Sequence, residues 1–365
     1  MSKMALVAVV GGAGEPLTVR EIVVPELHDG ALLVRVEAAT VCGTDVAMWR
    51  GDGHHGLPPY IPGHETAGIV VDIRGSRTDV LGEPVRPGDR IIWSYPFCGE
   101  CFYCSVAGQE SLCTNTVRFG RAAVDEDPGL LGGFATHHYV PPRSGIVKVP
   151  EGVSPALAAS ASCALRTVMH GFERLGRVAA HEVCLVQGSG PVGLYATAVA
   201  RTQGFRSVYV IGAPDGRLDL ARTFGADDTL SVERTTAAER VAWVNDRSGG
   251  RGADVVIQSA IGSAIPEGLA MARPGGRFVS IGAGGASTLE VPALTLHGKM
   301  LTIVGVRAAQ ARHYYAALQF LAGGSAPFEL LTAGTDYALN QATEALVAME
   351  TFAEVKPVVD PTLPI

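Results

Sequence analysis

Four cysteines in one short stretch are the residues of this chain whose types and spacing point most directly to chemistry. They are Cys98, Cys101, Cys104 and Cys113, with two residues between each of the first three and eight between the last two. Turns at this spacing can direct four thiolates at one tetrahedral zinc ion, the closed arrangement of a structural site. Cysteine spacing alone also allows disulfides or chance. The pattern favours metal, and we predict a structural zinc lobe over residues 96–115.

A second set of metal-ligand types is spread along the chain. Cys42 and His64 are ligands suited to zinc, and Glu65 follows His64 directly. Taken singly, a buried cysteine or histidine is more often part of the packing than a ligand. Together with Cys163, however, Cys42 and His64 would form a three-ligand site whose fourth position is open to water or substrate. Cys184, inside an apolar run, is expected to be part of the core.

A glycine-rich turn at residues 188–193 has the form of a dinucleotide-binding site. It follows the strand-like run 182–186 and opens a helical pattern over 191–203. In that setting glycines permit a tight turn, approach of the backbone to pyrophosphate and close helix–strand packing. The helix N-terminus adds free N–H groups and the positive end of its dipole. The predicted binding residues of the turn are Gly188, Gly190, Pro191, Val192 and Gly193.

The position that usually selects the nucleotide departs from the common pattern. An NAD-binding fold often carries an acidic residue at the end of its second strand, where it holds the ribose 2′-OH. Here that strand ends at Gly212, which removes both the carboxylate and its repulsion of a 2′-phosphate. Arg217 could meet a phosphate or the ribose, Asp215 could replace the missing acid, and a plain turn is equally compatible. The sequence therefore predicts NAD or NADP without choosing between them.

The elements around these motifs change in character along the chain. The first residues, to about 150, read as short strands separated by turns, and Ser154-Pro155 has the form of a helix start. From there apolar strands alternate with helices, which predicts an α/β fold with a doubly wound parallel sheet. The strand-like runs are 31–37, 68–73, 89–93, 182–186, 207–211, 254–257, 277–281 and 301–304.

Composition excludes several classes of protein. The 365 residues are 47% hydrophobic and 18% charged, which allows about two domains with large cores. A net charge of −7 and the absence of a basic arm argue against a nucleic-acid partner. No apolar run is long enough for a membrane span, and the first residues do not resemble a signal peptide. We expect a cytoplasmic, reducing location, which favours zinc thiolates over disulfides.

The motifs, in the order in which they occur along the chain, resemble those of the zinc-containing medium-chain dehydrogenase/reductase superfamily. This superfamily includes alcohol, polyol and threonine dehydrogenases. The resemblance covers essentially the whole chain. It implies a GroES-like catalytic domain from residues 1–163 and 308–365, and a Rossmann domain from residues 164–307. The motifs that carry it are Cys42-Gly-Thr-Asp45, Gly63-His-Glu65, the four-cysteine lobe, Gly132-Gly-Phe-Ala135, Cys163 to Thr167 and the dinucleotide turn.

The resemblance also implies roles for individual residues. Cys42, His64 and Cys163 would hold a catalytic zinc, so that each chain binds two zinc ions. Asp45 would orient His64 from behind, and Glu65 would lie close enough to exchange with the zinc-bound water.

Further roles concern the substrate and the nucleotide. Thr44 would bond the substrate oxygen and pass its proton onward, Thr167 would flank the nicotinamide, and Lys356 would contact the cofactor. Many members place a histidine at the position of Ala47, as the outer end of the proton relay. Water, or else His54 or His55, would have to replace it here.

Arg166 is a further departure, because it lies between the predicted ligand Cys163 and Thr167. It has either a structural ion pair or a role in binding an anionic substrate or a cofactor phosphate.

The resulting hypothesis is a zinc-dependent oxidoreductase that transfers a hydride between an alcohol and NAD or NADP. The substrate would be a small secondary alcohol, polyol, amino alcohol or anionic hydroxy compound. Two alternatives are a cofactor-binding protein without dehydrogenase activity and a zinc-independent reductase. Relatives of this type imply a homodimer or a homotetramer.

Overall fold

The chain folds into two compact units in a computed structural model that describes residues 3–52, 59–282 and 290–365, without the side chain of Ser263. One unit comprises Met1–Arg166, Ala308–Gly323 and Phe328–Ile365. The other comprises Thr167–Arg307 and Gly324–Pro327. The predicted relay candidates His54 and His55 lie outside the described residues.

Short strands dominate the N-terminal part of the chain. The elements are β1 (Met4–Val9), β2 (Thr18–Val23), β3 (Leu32–Thr40), α1 (Gly43–Arg50), β4 (Thr66–Ile73), β5 (Arg90–Trp93), α2 (Phe102–Ser105), β6 (His137–Val140), β7 (Ile146–Lys148) and α3 (Pro155–Ser160), with a 3₁₀ turn at Glu110–Leu112. The Ser154 hydroxyl accepts the Leu157 N–H at 3.3 Å and caps α3, as the sequence predicts. Helix α3 continues into a π-helical turn, Ala161–Leu165, a form that is frequent at functional sites.

The second unit alternates strands and helices, as the apolar pattern predicts. Its elements are α4 (Arg166–Leu175, beginning at the last residue of the first unit), β8 (Val183–Gln187), α5 (Pro191–Thr202), β9 (Ser207–Gly212), α6 (Asp215–Thr223), β10 (Asp228–Ser231), α7 (Ala237–Arg247), β11 (Ala253–Gln258), α8 (Ile265–Met271), β12 (Ala272–Ser280), α9 (Ala293–His297) and β13 (Thr302–Gly305), with a 3₁₀ turn at Gly262–Ala264. The strands form one parallel sheet in the order β10-β9-β8-β11-β12-β13. Strands β8 and β11 are buried along their whole length, which explains their continuous apolar sequences. Cys184 is part of this core. The predicted α/β fold is confirmed.

The C-terminal part returns to the first unit. It contains α10 (Ala311–Ala322), β14 (Asp336–Tyr337), α11 (Ala342–Glu350) and β15 (Val358–Val359), with 3₁₀ turns at Phe328–Leu331 and Leu339–Gln341. A seven-stranded sheet has the order β14-β15-β3-β4-β5-β7, and β6 also pairs with β3. Strand β15 is antiparallel to β3, with Val358 opposite Thr40. The Val41 N–H donates to the Pro357 carbonyl at 3.0 Å, so the C-terminal segment lies beside the start of the Cys42 motif.

Large apolar side chains fill the interior of the first unit. Trp49, Tyr60 and Trp93 are among the largest of them. None of the helices in the described ranges combines the length and the apolar composition needed to cross a membrane.

Candidate functional site

One carboxylate, that of Asp45, joins two of the segments that carry predicted metal ligands. It lies in the first turn of α1 and is almost fully buried. Its Oδ2 accepts the Cys42 N–H at 2.9 Å, and its Oδ1 accepts the Gly63 N–H at 3.3 Å. The same Oδ1 lies 3.0 Å from Nδ1 of His64. Because Asp45 occupies Nδ1, the imidazole has Nε2 available as a metal ligand, the arrangement of a carboxylate–histidine–metal triad.

The predicted ligands of the second metal site are brought together within the first unit. One ligand atom from each of Cys42, His64, Glu65 and Cys163 lies within 4.8 Å of the others. Cys42 immediately precedes α1, His64 and Glu65 precede β4, and Cys163 lies in the π-helical turn. The side chains come from three distant segments, so only the fold of the unit creates the cluster.

The ionisation of these groups is strongly coupled. The hydrogen bond from Cys163, assisted by the neighbouring His64, lowers the pKa of Cys42 well below its usual value. The same hydrogen bond, together with burial, raises the pKa of Cys163. Burial alone would lower the pKa of His64, but the negative charge of Asp45 raises it well above its usual value. These shifts favour a Cys42 thiolate beside a protonated His64, and a bound zinc ion would displace the protons of His64 and Cys163.

Glu65 and Lys356 form a fully buried ion pair next to these ligands. The Lys356 ammonium donates to Oε2 of Glu65, which also accepts the Thr40 hydroxyl, while Oε1 has no hydrogen-bond partner. Burial raises the pKa of Glu65 to about 7, although Lys356 acts in the opposite direction. Neither the role of Thr40 nor this pairing was predicted from the sequence. Thr40 ends β3 two residues before Cys42, and that proximity was the only signal in the sequence.

The four-cysteine lobe is compact and built from local turns. The four Sγ atoms lie within 4.8 Å of one another, with Cys101 and Cys104 3.6 Å apart. That separation is far greater than the disulfide length of about 2 Å, and the cysteines are free. The Sγ atoms of Cys98 and Cys113 each accept a backbone N–H at 3.3 Å. Backbone hydrogen bonds from Thr114 and Cys104 lower the pKa of Cys101 to about 6, which favours its thiolate.

The predicted dinucleotide turn adopts a backbone that only glycine allows. Gly188 has φ +112°, and a Cβ on Gly193 would lie 1.9 Å from the Gly188 carbonyl oxygen. Gly190 precedes the first residue of α5, which begins with Pro191 and Val192. The α5 N-terminus therefore presents its free N–H groups at the turn.

The end of β9 explains why it carries no acidic side chain. A Cβ on Gly212 would lie 2.4 Å from the Ser189 hydroxyl, which donates to the Ala213 carbonyl at 2.9 Å. Asp215 begins α6 and pairs with the exposed Arg234, and its Oδ1 is buried without a partner. Arg217 is mostly buried, and burial lowers its pKa.

Arg166 is buried and does not form, with any described residue, the structural ion pair that was one of the two expectations for it. It is 2% exposed, and its Nε donates to the Ser162 carbonyl. Within the described part of the chain it forms no salt bridge, so the expected ion pair is absent there. Its guanidinium carbon lies 5.5 Å from the ring centre of Tyr95 and 4.9 Å from that of Tyr314. The contact with Tyr314 could not be predicted from the sequence, because Tyr314 is more than a hundred residues away in the chain.

The remaining predicted residues lie close to the cluster in sequence. Thr44 is exposed at the start of α1, in the same turn as Asp45, and Ala47 follows in that helix. Thr167 is half-buried in α4, directly after Arg166. Their proposed contacts with substrate or nicotinamide remain predictions.

Two family models match separate parts of the chain. A model described as the alcohol dehydrogenase GroES-like domain matches residues 28–151, and one described as zinc-binding dehydrogenase matches residues 191–323. The first match contains both cysteine-bearing motifs before Cys163, and the second begins at α5.

Individual relatives match over nearly the full length. The chain is 34% identical to a 5-exo-hydroxycamphor dehydrogenase of Pseudomonas putida over 92% of each sequence. The structure of an alcohol dehydrogenase from Thermotoga maritima superposes with a TM-score of 0.91 at 31% identity, covering 98% of this chain and 99% of the other. A protein of Sinorhizobium meliloti that is described as a zinc-binding dehydrogenase and was solved with NADP gives 0.84 at 26% identity, covering 98% and 100%.

Proposed function

The chain belongs to the zinc-containing medium-chain dehydrogenase family, and from this membership we propose that it oxidises a secondary alcohol with NAD(P), using one catalytic and one structural zinc ion. The observation that carries the proposal is the cluster of Cys42, His64, Glu65 and Cys163 within 4.8 Å, with Asp45 behind the histidine. A nucleotide-binding protein without catalysis has no need of such a cluster.

The residues present fit a catalytic zinc ion. Two sulfurs and one imidazole nitrogen form a Cys₂His donor set, which leaves a fourth position for substrate. Glu65 supplies a buried Oε1 that lacks a hydrogen-bond partner, as expected for an oxygen able to approach the metal. Zinc held by these ligands would supply a Lewis acid that lowers the pKa of a bound hydroxyl.

The chain itself supplies positioning and proton transfer. Asp45 fixes the imidazole of His64 so that Nε2 is directed at the metal position. We assign the exposed Thr44 hydroxyl as the first acceptor of the substrate proton, with water as the next carrier because Ala47 offers no side chain for this step. A nicotinamide nucleotide held at Gly188–Gly193 would supply the acceptor for the hydride of the carbinol carbon. The O–H proton leaves through Thr44, and the product is a carbonyl compound.

The nucleotide would bind at the turn between β8 and α5. Gly188 and Gly193 allow the backbone to approach a pyrophosphate, and the N-terminus of α5 offers N–H groups to it. The unpartnered Oδ1 of Asp215 is the acceptor that we assign to a ribose hydroxyl, which favours NAD over NADP. If the cofactor is NADP, Arg217 and Arg234 are the residues that would have to bind its 2′-phosphate.

The assembly that we propose is a homodimer formed at β13. This strand is at the edge of the parallel sheet and is mostly exposed. Ile303 is 49% exposed within it, and Leu294 and Met300 are exposed close by in sequence. An apolar edge strand of this kind is a template for pairing with a second copy. Light scattering should give the mass of an oligomer, and Ile303→Lys should shift it toward the monomer.

A substrate panel tests the function. Secondary alcohols, polyols, amino alcohols and hydroxy acids are offered with NAD⁺ and with NADP⁺, and reduction is followed at the nicotinamide absorbance. Zinc content is measured on the same preparation. We expect turnover of at least one class and two zinc ions per chain. A zinc-loaded protein that binds nucleotide and turns over no class would contradict the proposal, and would support the alternative of a cofactor-binding protein.

Thr44 offers a sharper test of the proton path. Thr44→Ser keeps the hydroxyl and should retain most of the activity, whereas Thr44→Val should lower kcat by about 10²–10⁴-fold, the usual effect of losing a proton-transfer group. Equal activity of the serine and valine variants would show that the proton leaves by another route.

A further inference from the structure

Arg166 is a buried cation whose donors are mostly unused. Its side chain is 2% exposed, and its one hydrogen bond to a described residue runs from Nε to the Ser162 carbonyl. Nη1 is buried and has no partner. The rings of Tyr95 and Tyr314 contact the guanidinium, and a cation–π contact stabilises its charge without using its N–H groups. The guanidinium therefore has N–H groups to offer to a ligand.

Three other arginines of low exposure are paired with carboxylates, whereas Arg77 donates to backbone carbonyls. Arg240 forms two hydrogen bonds of 2.7 Å to the two oxygens of Glu267. Arg277 pairs with Glu182, and Arg273 pairs with Asp254. A buried charge is expensive unless it is paired, so a structural arginine is normally provided with an acceptor. Arg166 differs from these three because it has no carboxylate among the described residues.

The position of Arg166 links it to the proposed metal site. It follows Cys163 by three residues, across the end of the π-helical turn, and lies close enough to it for the two groups to interact electrostatically. Burial acts against its charge, but Tyr314 and Cys163 raise the pKa of Arg166 above its usual value, so the group is cationic beside the cluster. Glu65 also acts on it electrostatically, but its Oε2 is already bonded to Lys356 and Thr40.

We propose that Arg166 binds the carboxylate of a hydroxy-acid substrate whose carbinol oxygen is held at the proposed metal site. This inference rests on the proposed function and names the class of its substrate. The guanidinium is a planar fork that matches a carboxylate, and the interaction is charge-assisted. A cofactor phosphate is the other possible source of an anion. Gly188–Gly193 and the N-terminus of α5 already provide a phosphate site, so the substrate is the better assignment.

A matched pair of probes isolates the carboxylate. The acid is 3-hydroxybutanoate, and the neutral counterpart is 4-methylpentan-2-ol, in which an isopropyl group replaces the carboxylate. We expect wild-type protein to have a higher kcat/KM for the acid. Arg166→Met should lower the ratio of kcat/KM for acid over alcohol by about 10- to 150-fold, the range for a lost hydrogen bond to a charged group. Arg166→Lys should recover part of the ratio, because it keeps the charge and loses the fork.

Arg240→Met is the matched control, because it removes an arginine that is fully paired. We expect it to lower the unfolding midpoint and to leave the acid-to-alcohol ratio as in wild type. Arg166→Met should not lower the midpoint, because it removes a buried charge without a carboxylate partner. A fall in the midpoint as large as that of Arg240→Met, with the ratio retained, would show that Arg166 is structural and overturn the inference.

Binding provides a readout that is independent of turnover. Calorimetric titration of 3-hydroxybutanoate into the zinc-loaded protein should give a Kd that Arg166→Met weakens about tenfold or more. Oxidation of the neutral alcohol with no preference for the acid overturns the inference and leaves the proposed function standing. A KM that rises only for the nucleotide assigns Arg166 to a cofactor phosphate and also overturns it. If no probe is oxidised but the acid binds through Arg166, the proposed function fails and the binding site remains.

Discussion

The two cysteine clusters of this protein are built in opposite ways. The lobe takes its four sulfurs from sixteen consecutive residues, Cys98 to Cys113, through short turns and a single turn of helix, α2. The second cluster takes Cys42, His64 and Cys163 from segments that are far apart in the chain, and surrounds them with buried charges. The first is defined by local spacing, whereas the second exists only because a sheet and two helices bring its members together.

This difference suggests that the lobe contributes to stability and the second cluster to activity. Four thiolates would complete the coordination of a tetrahedral zinc ion, so the lobe would have no position for a substrate. The second cluster has two cysteines, one histidine and a carboxylate that is already paired with Lys356, so a zinc ion there would keep one position open. We therefore expect damage to the lobe to appear as lost stability, and damage to the second cluster to appear as lost activity.

The largest effect is expected from removing one ligand of each cluster. Cys163→Ala should lower kcat/KM by at least about 10³-fold, or roughly 4 kcal/mol of transition-state stabilisation, with one zinc ion lost. Cys98→Ala should lower the unfolding midpoint and lose the other zinc ion, while the folded fraction retains activity. Zinc analysis, thermal unfolding and steady-state kinetics check both variants. Full activity of Cys163→Ala would end the assignment of the catalytic ligands.

The buried ion pair of the second cluster has no counterpart in the lobe. Lys356→Met leaves the Glu65 carboxylate buried without its cation, so we expect a loss of about 3–5 kcal/mol in the free energy of unfolding. The double variant with Glu65→Gln should regain most of it, because no charge is then left alone. Lys148→Met, which breaks the more exposed pair with Asp89, should cost less than about 1 kcal/mol. Denaturant unfolding measures all three, and a loss in Lys356→Met no greater than in Lys148→Met would remove this distinction between the clusters.

A change at Asp45 should affect zinc affinity at the second cluster and leave zinc affinity at the lobe unchanged. Asp45 bonds His64 and the backbone of Cys42, and it has no contact with the lobe cysteines. Asp45→Asn should weaken zinc binding at the second cluster by about 10- to 100-fold, the usual effect of losing the partner behind a histidine ligand. Competition with a chelator should then release one zinc ion earlier and the other as in wild type. Earlier release of both ions would show that the clusters are coupled.

A histidine outside both clusters, His138, also contributes to the loss of stability at low pH. His138 is buried between Trp93 and Phe119, and burial lowers its pKa to about 3. Between that value and the ordinary pKa near 6.5, the unfolded chain binds a proton that the folded chain does not. Stability is therefore lost as the pH falls below about 6.5, and His138 accounts for about 2 kcal/mol by pH 5.

The variant His138→Asn should show a flatter decline in the free energy of unfolding between about pH 7 and pH 5. The exposed His181→Asn serves as the control and should follow wild type. Unfolding curves collected with zinc in excess separate this effect from loss of metal. An unchanged slope in His138→Asn would assign the acid sensitivity to the clusters alone.

Several features could be predicted because they depend on short-range rules. The apolar runs of β8 and β11 predict buried parallel strands, and Ser154-Pro155 predicts the start of α3. The glycines of the dinucleotide turn follow from a backbone that excludes a Cβ. For the second cluster, the residue types suggested metal, and the resemblance to a family supplied the grouping.

Other features could not be predicted because they join distant parts of the chain. Lys356 lies on Glu65 because β15 pairs with β3, a register that the sequence of either strand leaves open. Arg166 lies against Tyr95 and Tyr314, from segments on either side of it in the chain. Gly212 has no side chain because the turn that carries Ser189 packs directly against it and leaves no room for a Cβ.

The sequence by itself determined the alternating elements, the closed four-cysteine lobe and the nucleotide turn, since each depends on periodicity or spacing within one segment. The tertiary structure alone decided which charges meet in the interior. It paired Lys356 with Glu65, brought Asp45 to His64 as the family resemblance implied, and left Arg166 without a carboxylate among the described residues. The physical reason is that a buried charge is costly unless a partner or a ligand compensates it, and that partner can come from any part of the chain that the fold brings near.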